Sequence, residues 1–235
     1  MGLLSNMDEI MEDLTNCKDL FKITQNDYLY NYYVETKQDL KKADILPITK
    51  EQISMIFVNS KFKEKFIQMI KNIQTKRLYK SNMHGINHNI RVAIFVYILA
   101  NFEDVSIREF EMLIDCAKYH DIGRTDDCMD YNHGLRSAKK LNFLSNYNQE
   151  ELNLMKTIIT CHSMEDNEID KYIQIYKVKD TNRCKKLFNI LKDADGLDRV
   201  RLPYPKVHID LLRTGTAKRV VSFAFEIYIY LQKFI

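Results

Sequence analysis

One segment, Leu113-Ile114-Asp115-Cys116-Ala117-Lys118-Tyr119-His120-Asp121-Ile122-Gly123-Arg124, carries an apolar helical pattern that ends in an adjacent histidine and aspartate. Leu113, Cys116 and His120 recur at i, i+3 and i+7, so His120 is expected on the helix face toward the core. Gly123 is expected to end the helix. A neutral imidazole beside a carboxylate suits a divalent metal, but such pairs also occur at ordinary hydrogen-bonded helix ends. The other polar residues of the chain decide between these interpretations.

The composition indicates a helical globular protein. The 235 residues are 46% hydrophobic and 29% charged, which is typical of a folded domain and not of a disordered chain. Only six glycines and three prolines are present, too few for many short strands joined by tight turns. We therefore predict an all-α fold.

The charge, the cysteines and the apolar runs of the chain indicate which compartment and which partners to expect. The net charge of +3 is mixed along the chain and does not indicate nucleic acid binding. The five cysteines are scattered and form no CxxC pair, which is typical of reduced thiols. The longest apolar runs, 92–100 and 220–231, are shorter than the ~20 residues that span a membrane, and no signal peptide pattern is found. We predict a cytoplasmic protein with no membrane partner.

The chain divides into an N-terminal helical segment, 1–46, packed on a helical core, 47–235. Two amphipathic helices are expected at about 8–21 and 27–40. The tyrosines at 28, 30, 32 and 33 favour packing against the core over stacking on a base or sugar. Thr49 and Gln52 resemble a capping box that opens the next helix. A basic helix expected over 61–79 favours a solvated face over a polyanion contact.

Three further histidines fall on or beside apolar helix faces. A helix that begins near Ile86 places His88 on the face of Val92, at the edge of the core. His133 lies where a helix is expected to start, and His162 lies where one is expected to end. Taken singly, His133 and His162 are more readily interpreted as hydrogen-bonded core residues than as metal ligands, whereas His88 is interpreted as a ligand and His84, on the loop before its helix, as a substrate contact.

A carboxylate falls on another apolar helix face. Asp195 lies four residues after Leu191 in the pattern, and burying an unpaired carboxylate costs several kcal/mol unless a cation or hydrogen-bond donor accompanies it. A metal is one such partner, and an ion pair with Arg199 or Arg201 is an equally good one. Asp198 is expected behind the metal ligands, in contact with one of them.

Five short motifs follow one another between residues 81 and 201. They are His84-Gly85-x-x-His88-x-x-Arg91-Val92, His120-Asp121-Ile122-Gly123, His133-Gly134, His162-Ser163 and Ala194-Asp195-Gly196-Leu197-Asp198. In this order they resemble the two-metal subset of the HD-domain metal-dependent phosphohydrolase superfamily. The resemblance implies an HD-domain helical bundle, to which the N-terminal helical segment is added. Residues 1–80 and 202–235 match no pattern of this kind.

The resemblance implies a set of metal ligands and a reaction. The expected ligands are His88, His120, Asp121, His133, His162 and Asp195, which hold two divalent ions (Mn, Fe, Ni, Mg or Zn) with Asp121 as the bridge. The implied enzyme is a hydrolase acting on phosphate ester bonds, a phosphohydrolase or phosphodiesterase whose small-molecule substrate is a nucleotide or nucleotide-derived compound. The attacking group is a hydroxide held between the metals. Asp121 and His84 are the expected catalytic residues.

Four basic residues close to these ligands in sequence are the candidate substrate contacts: Arg124, Lys192, Arg199 and Arg201. Arginine forks suit phosphate oxygens, but ion pairs with nearby aspartates explain these residues equally well. Two alternative functions remain at this point. One is a phosphodiesterase that acts on a modified protein, and the other is a di-iron HD-type oxygenase with the same six ligands. A non-catalytic binding module is the least favoured interpretation.

Overall fold

A computed structural model of the chain describes residues 2–16, 23–25, 27–204 and 207–235. Within these ranges the fold is all-α, with eleven α-helices and no β-strand, which confirms the predicted fold class. The helices are α1 Met7–Asn16, α2 Tyr30–Lys42, α3 Lys50–Asn59, α4 Lys63–Lys71, α5 Ile86–Phe102, α6 Ile107–Tyr119, α7 His133–Lys139, α8 Gln149–His162, α9 Ile169–Tyr176, α10 Thr181–Leu197 and α11 Gly215–Leu231. Short 3-10 turns lie before, between and after them.

Helix α5 lies at the centre of the bundle. Every residue from His88 to Ala100 is buried, as expected of a helix that is apolar on all sides. Helices α6 and α10 pack directly against α5, and α8 packs against α10 and α7. The first turn of α5 therefore lies among the ends of several other helices.

Capping boxes fix where the key helices begin. The predicted box at Thr49 and Gln52 is present and opens α3. Two further boxes, on Ser106 and Asn148, open α6 and α8. In each, a side chain and a backbone N–H exchange hydrogen bonds across the first turn. They set the register of the two helices whose far ends carry His120 and His162.

The N-terminal residues are part of the main core. Leu3, Met7 and Ile10 are almost fully buried in the same apolar cluster as α5. Helix α1 packs on α3 and α2 packs on α11. The Tyr33 hydroxyl donates to Glu226 at 2.9 Å, so this tyrosine packs against α11, whereas Tyr28 is largely exposed.

One predicted helix boundary differs from the structure, and another is not tested. Helix α1 is described as far as Asn16, and the remainder of the predicted 8–21 helix, including Cys17, lies outside the described residues. Helix α4 ends at Lys71 and not near 79, because the backbone N–H of Gln74 donates to the Tyr119 hydroxyl and not to the preceding helical turn.

The described residues are also consistent with the expected cysteine chemistry. Cys116, Cys161 and Cys184 are free and buried, and Cys128 is free and exposed. Among the helices described, none is both long enough and apolar enough to cross a membrane. Two lysines of the basic α4 pair with acidic neighbours, Lys65 with Glu111 and Lys71 with Asp8.

Candidate metal centre

The structure brings together all six side chains predicted as metal ligands. They are His88, His120, Asp121, His133, His162 and Asp195, and they form overlapping groups whose ligand atoms lie within 4.8 Å of one another. They come from the first turn of α5, the turn after α6, the start of α7, the end of α8 and the last turn of α10. All are buried except Asp195, whose side chain is 29% exposed. Solvent therefore reaches the cluster on the Asp195 side.

Asp121 lies between two pairs of histidines. Its Oδ2 atom is 3.5 Å from Nε2 of His88 and 3.6 Å from Nε2 of His120. Its Oδ1 atom is 3.0 Å from Nε2 of His133 and 3.7 Å from Nε2 of His162. One carboxylate thus presents a separate oxygen to each imidazole pair.

Asp195 belongs to the first of these pairs. Its Oδ1 atom lies 3.3 Å from Nε2 of His88 and 3.9 Å from Nε2 of His120. Burial alone raises the pKa of Asp195, but the two histidines outweigh it and hold this pKa well below its usual range. The carboxylate is therefore ionised and available to a cation.

Hydrogen bonds fix the tautomer of every histidine in the cluster. In three of them Nδ1 contacts a backbone carbonyl oxygen: His120 that of Ala117 (2.8 Å), His162 that of Ile159 (2.6 Å) and His133 that of Asp130. In the fourth, Nδ1 of His88 contacts Oδ2 of Asp198 at 2.7 Å. Carbonyl and carboxylate oxygens only accept, so each Nδ1 carries the proton. Four Nε2 lone pairs consequently point into the cluster.

These lone pairs need a positive charge between them. The Nε2 atoms of His88 and His120 are 3.1 Å apart, and those of the other pair are 2.8 Å apart. Neutral imidazoles of this tautomer repel each other at such distances unless a proton or a cation intervenes. Protonation is disfavoured, because burial lowers the pKa of His120 to about 3 and lowers that of His133.

The charge state of Asp121 leads to the same conclusion. Burial alone raises its pKa, but His120, His133 and His162 more than offset this effect and hold the pKa well below its usual range. Its Oδ1 atom is buried and makes no well-aligned hydrogen bond to any residue that the structure describes. Four imidazole nitrogens and two carboxylates in this arrangement fit a divalent metal. The hydrogen bond at each Nδ1 orients the ring, as is usual for metal-binding histidines.

Gly123 allows helix α7 to pack closely against the turn that carries Asp121. A Cβ on Gly123 would lie 2.3 Å from the Ser137 nitrogen and 2.4 Å from the His133 carbonyl, so only glycine lets α7 lie directly against the turn that carries Asp121. The sequence predicted Gly123 as the end of a helix. That role is wrong, because α6 already ends at Tyr119 and residues 120–123 form turns.

A second glycine joins α7 to α8. A Cβ on Gly134 would lie 2.4 Å from the Ile159 carbonyl oxygen and 2.7 Å from that of Thr160. Both oxygens belong to the last turn of α8, three and two residues before His162. The absence of a side chain at Gly134 is therefore what allows His133 and His162 to meet.

Asp198 and Arg91 support His88 from behind. The Asp198 carboxylate accepts from His88 and from Nε and Nη2 of Arg91, at 2.7 and 3.1 Å. Burial raises its pKa, but Arg91 and His88 lower it to below the ordinary value. Asp198 therefore lies where the sequence predicted. The role of Arg91 was missed, although it is three residues after His88 and so on the same face of α5.

His84 lies beside the cluster and not in it. It is 6% exposed, and its ring centroid is 5.9 Å from that of His88. Its Nδ1 atom is 2.9 Å from Oδ1 of Asp127. Burial lowers the pKa of His84, and the contact with Asp127 raises it in part. The partnership with Asp127 was not predicted from the sequence.

Two of the four predicted substrate contacts lie at the cluster. Nε of Arg124 is 3.0 Å from Oδ1 of Asp121. Arg201 donates to the Met83 carbonyl, beside His84, at 3.0 Å. The other two lie elsewhere in the described structure: Lys192 is held by Asp166 at 2.7 Å, and Arg199 is exposed.

Comparison with known proteins adds no relative: no family model, no curated protein and no solved structure matches this chain. The function therefore has to be argued from the chemistry of the site.

Proposed function

We propose that the chain is a metal-dependent hydrolase of phosphate esters, related to the two-metal HD-domain phosphohydrolases. The observation that supports this most is the position of Asp121, which gives one oxygen to each of two histidine pairs. His88, His120 and Asp195 would hold one divalent ion with Oδ2 of Asp121. His133 and His162 would hold a second ion with Oδ1. A pair of ions at such a site polarises phosphoryl oxygens and makes water acidic near neutral pH.

The charge of the site favours an anionic substrate. Around it are three carboxylates and three arginines. Asp121 pairs with Arg124, Asp198 pairs with Arg91 and Arg201, and Asp195 lies at the exposed edge. These fixed charges cancel, and an imidazole that binds a metal ion adds no charge of its own. Two divalent ions would therefore leave a strong positive charge in a largely buried site, where charge is poorly screened. A phosphate group, as in a nucleotide, matches this charge.

The side chains around the cluster have distinct roles in the proposed reaction. Arg124 and Arg201 bind phosphoryl oxygens through their remaining N–H groups. The ring of His84 lies beside that of His88 and, in its doubly protonated form, gives a proton from Nε2 to the leaving oxygen. Burial of the histidines excludes bulk water, and the Asp195 side admits the substrate.

The test uses purified protein stripped of metal by a chelator and then reloaded with Mn, Fe, Ni, Mg or Zn. Phosphomonoesters, cyclic dinucleotides, dinucleoside polyphosphates and ADP-ribosylated protein are assayed for product release. We expect metal-dependent hydrolysis that is lost in His120→Ala, with helix content retained by circular dichroism. His208→Ala is the matched control, because His208 is exposed and outside the cluster.

Two results would contradict this proposal. Oxygen consumption by the iron-loaded protein without phosphate release would favour the oxygenase. Full turnover by His120→Ala would mean that the cluster is not the active site. Hydrolysis of the ADP-ribosylated protein alone would retain the chemistry but replace the small-molecule substrate by a modified protein.

A further inference from the structure

The carboxylate of Asp127 connects two loops beside the metal centre. It lies between α6 and α7, and its Oδ1 atom accepts from Oγ of Ser81 at 2.6 Å and from Nδ1 of His84 at 2.9 Å. Oγ of Ser81 in turn accepts from the backbone nitrogens of Met83 and His84, at 2.9 and 3.1 Å. The residues before α5 are thus tied to the loop that follows Asp121.

This contact determines which nitrogen of His84 is available. Because a carboxylate only accepts, Nδ1 carries a proton and Nε2 is the nitrogen left for a ligand. No residue in the described ranges hydrogen-bonds to Nε2. The ring stands edge-on to that of His88, at 88°. An imidazole held by a carboxylate at one nitrogen and open at the other is the arrangement of a positioned acid or base.

The neighbouring carboxylates of the same loop have other partners. Oδ1 of Asp126 accepts from the backbone nitrogen of Cys128 at 2.9 Å. The side chain of Asp130 pairs with Arg136 and accepts from the backbone of Asn132. Of these three aspartates, Asp127 alone uses its side chain to bind a histidine. Asp126 therefore offers a matched control with the same charge one residue away.

We propose that Asp127 is a positioning residue, which holds the doubly protonated ring of His84 so that Nε2–H faces the leaving oxygen of the substrate. This inference rests on the proposed function. In the step concerned, a water oxygen bonds to phosphorus as the bond from phosphorus to the leaving oxygen breaks. The electron pair of that bond stays on the leaving oxygen, which takes the proton from Nε2 of His84. The water releases one proton to solvent, and His84 regains one from solvent.

The experiment compares esters that share a phosphoryl group and differ in leaving group. The pairs are p-nitrophenyl phosphate with benzyl phosphate and, for a diesterase, methyl p-nitrophenyl phosphate with methyl benzyl phosphate. Nitrophenolate leaves without a proton, whereas the benzyl alkoxide needs one. Because general acids contribute typically 10²–10⁴-fold, Asp127→Asn should lower kcat on the benzyl ester roughly 10²-fold. On the nitrophenyl ester kcat should change little, with KM and bound metal unchanged.

Two further variants complete the test. His84→Gln should show the same dependence on the leaving group, and adding Asp127→Asn to it should have no further effect. Asp126→Asn should behave as the wild type on both esters. If Asp127→Asn does not fold, Ser81→Ala takes its place in the test. It removes one hydrogen bond to the Asp127 carboxylate and should give a smaller loss of the same kind.

Equal losses on both esters, or no loss on either, would overturn the role of Asp127 and leave the proposed function intact. If the metal-loaded wild-type protein releases product from none of the four esters and from none of the wider substrate panel, the proposed function fails, and this inference fails with it.

Discussion

The substitution Gly134→Ala tests how closely the two halves of the site must approach. Gly134 follows His133 and lies against the last turn of α8. Its missing Cβ would meet the backbone carbonyl oxygens of Ile159 and Thr160, at 2.4 and 2.7 Å. Because these oxygens are helix backbone, they cannot rotate away as a side chain could. Helix α7 has to move instead.

The size of this movement follows from the contact distances. Ordinary contacts of a Cβ begin at 3.4 Å, so the start of α7 must shift by about 1 Å, at a cost of roughly 1–3 kcal/mol for an overpacked contact. His133 would move with it, away from Asp121 and His162, which lie 3.0 and 2.8 Å from its Nε2 atom. Metal ligands tolerate errors of only about 0.2 Å. We therefore expect the second ion to be lost and the first, on His88 and His120, to be retained.

The assay is the number of Mn²⁺ ions bound per chain, measured by calorimetric titration of chelator-treated protein. Wild type should bind two ions and Gly134→Ala one. Gly215→Ala is the matched control, because a Cβ there meets nothing within 4 Å, and it should bind two. If Gly134→Ala also bound two ions with wild-type affinity, the close approach of α7 to α8 would not be needed for the site, and the reasoning would be refuted.

Two further predictions concern the surroundings of the site and the stability of the fold. Asp198→Asn weakens the acceptor for Nδ1 of His88, so Mn²⁺ affinity measured by calorimetry should fall about 10–100-fold; unchanged affinity would show that this contact does not orient the ligand. The hydrogen bond from Arg108, reinforced by its charge, holds the pKa of Glu151 below its ordinary value. The Glu151 carboxylate therefore binds a proton less tightly in the folded state than in the unfolded chain. Its contribution to folding stability is present above the unfolded pKa of about 4.3 and is lost as the pH falls further. Since Arg108 is partly exposed, Glu151→Gln should lower the free energy of unfolding by about 1 kcal/mol or less at pH 7 and by less near pH 3 in urea titrations; an equal loss at both pH values would contradict this assignment.

Sequence periodicity predicted the elements that carry the histidines. Helix α5 begins at Ile86, α7 begins at His133 and α8 ends at His162, as expected. These predictions succeed because an apolar pattern and a helix end are local properties of the chain. The inward direction of His88 follows from the same pattern.

The supporting contacts had no comparable signal. Asp127 and His84 are 43 residues apart, and Arg91 and Asp198 are 107 apart. Such pairs depend on how helices pack, which no local pattern encodes. The fit of Gly134 against α8 is of the same kind, because a glycine in a sequence does not show which backbone lies against it.

The central proposal is that Asp121 would bridge two metal ions, and its most direct test is the number of Mn²⁺ ions bound by Asp121→Asn and by wild-type protein. The amide keeps the shape of the carboxylate but removes the charge that both histidine pairs share. We predict two ions per wild-type chain and fewer than one in Asp121→Asn, with unchanged helix content. Two tightly bound ions in Asp121→Asn, or none in the wild-type protein, would contradict this account of the site.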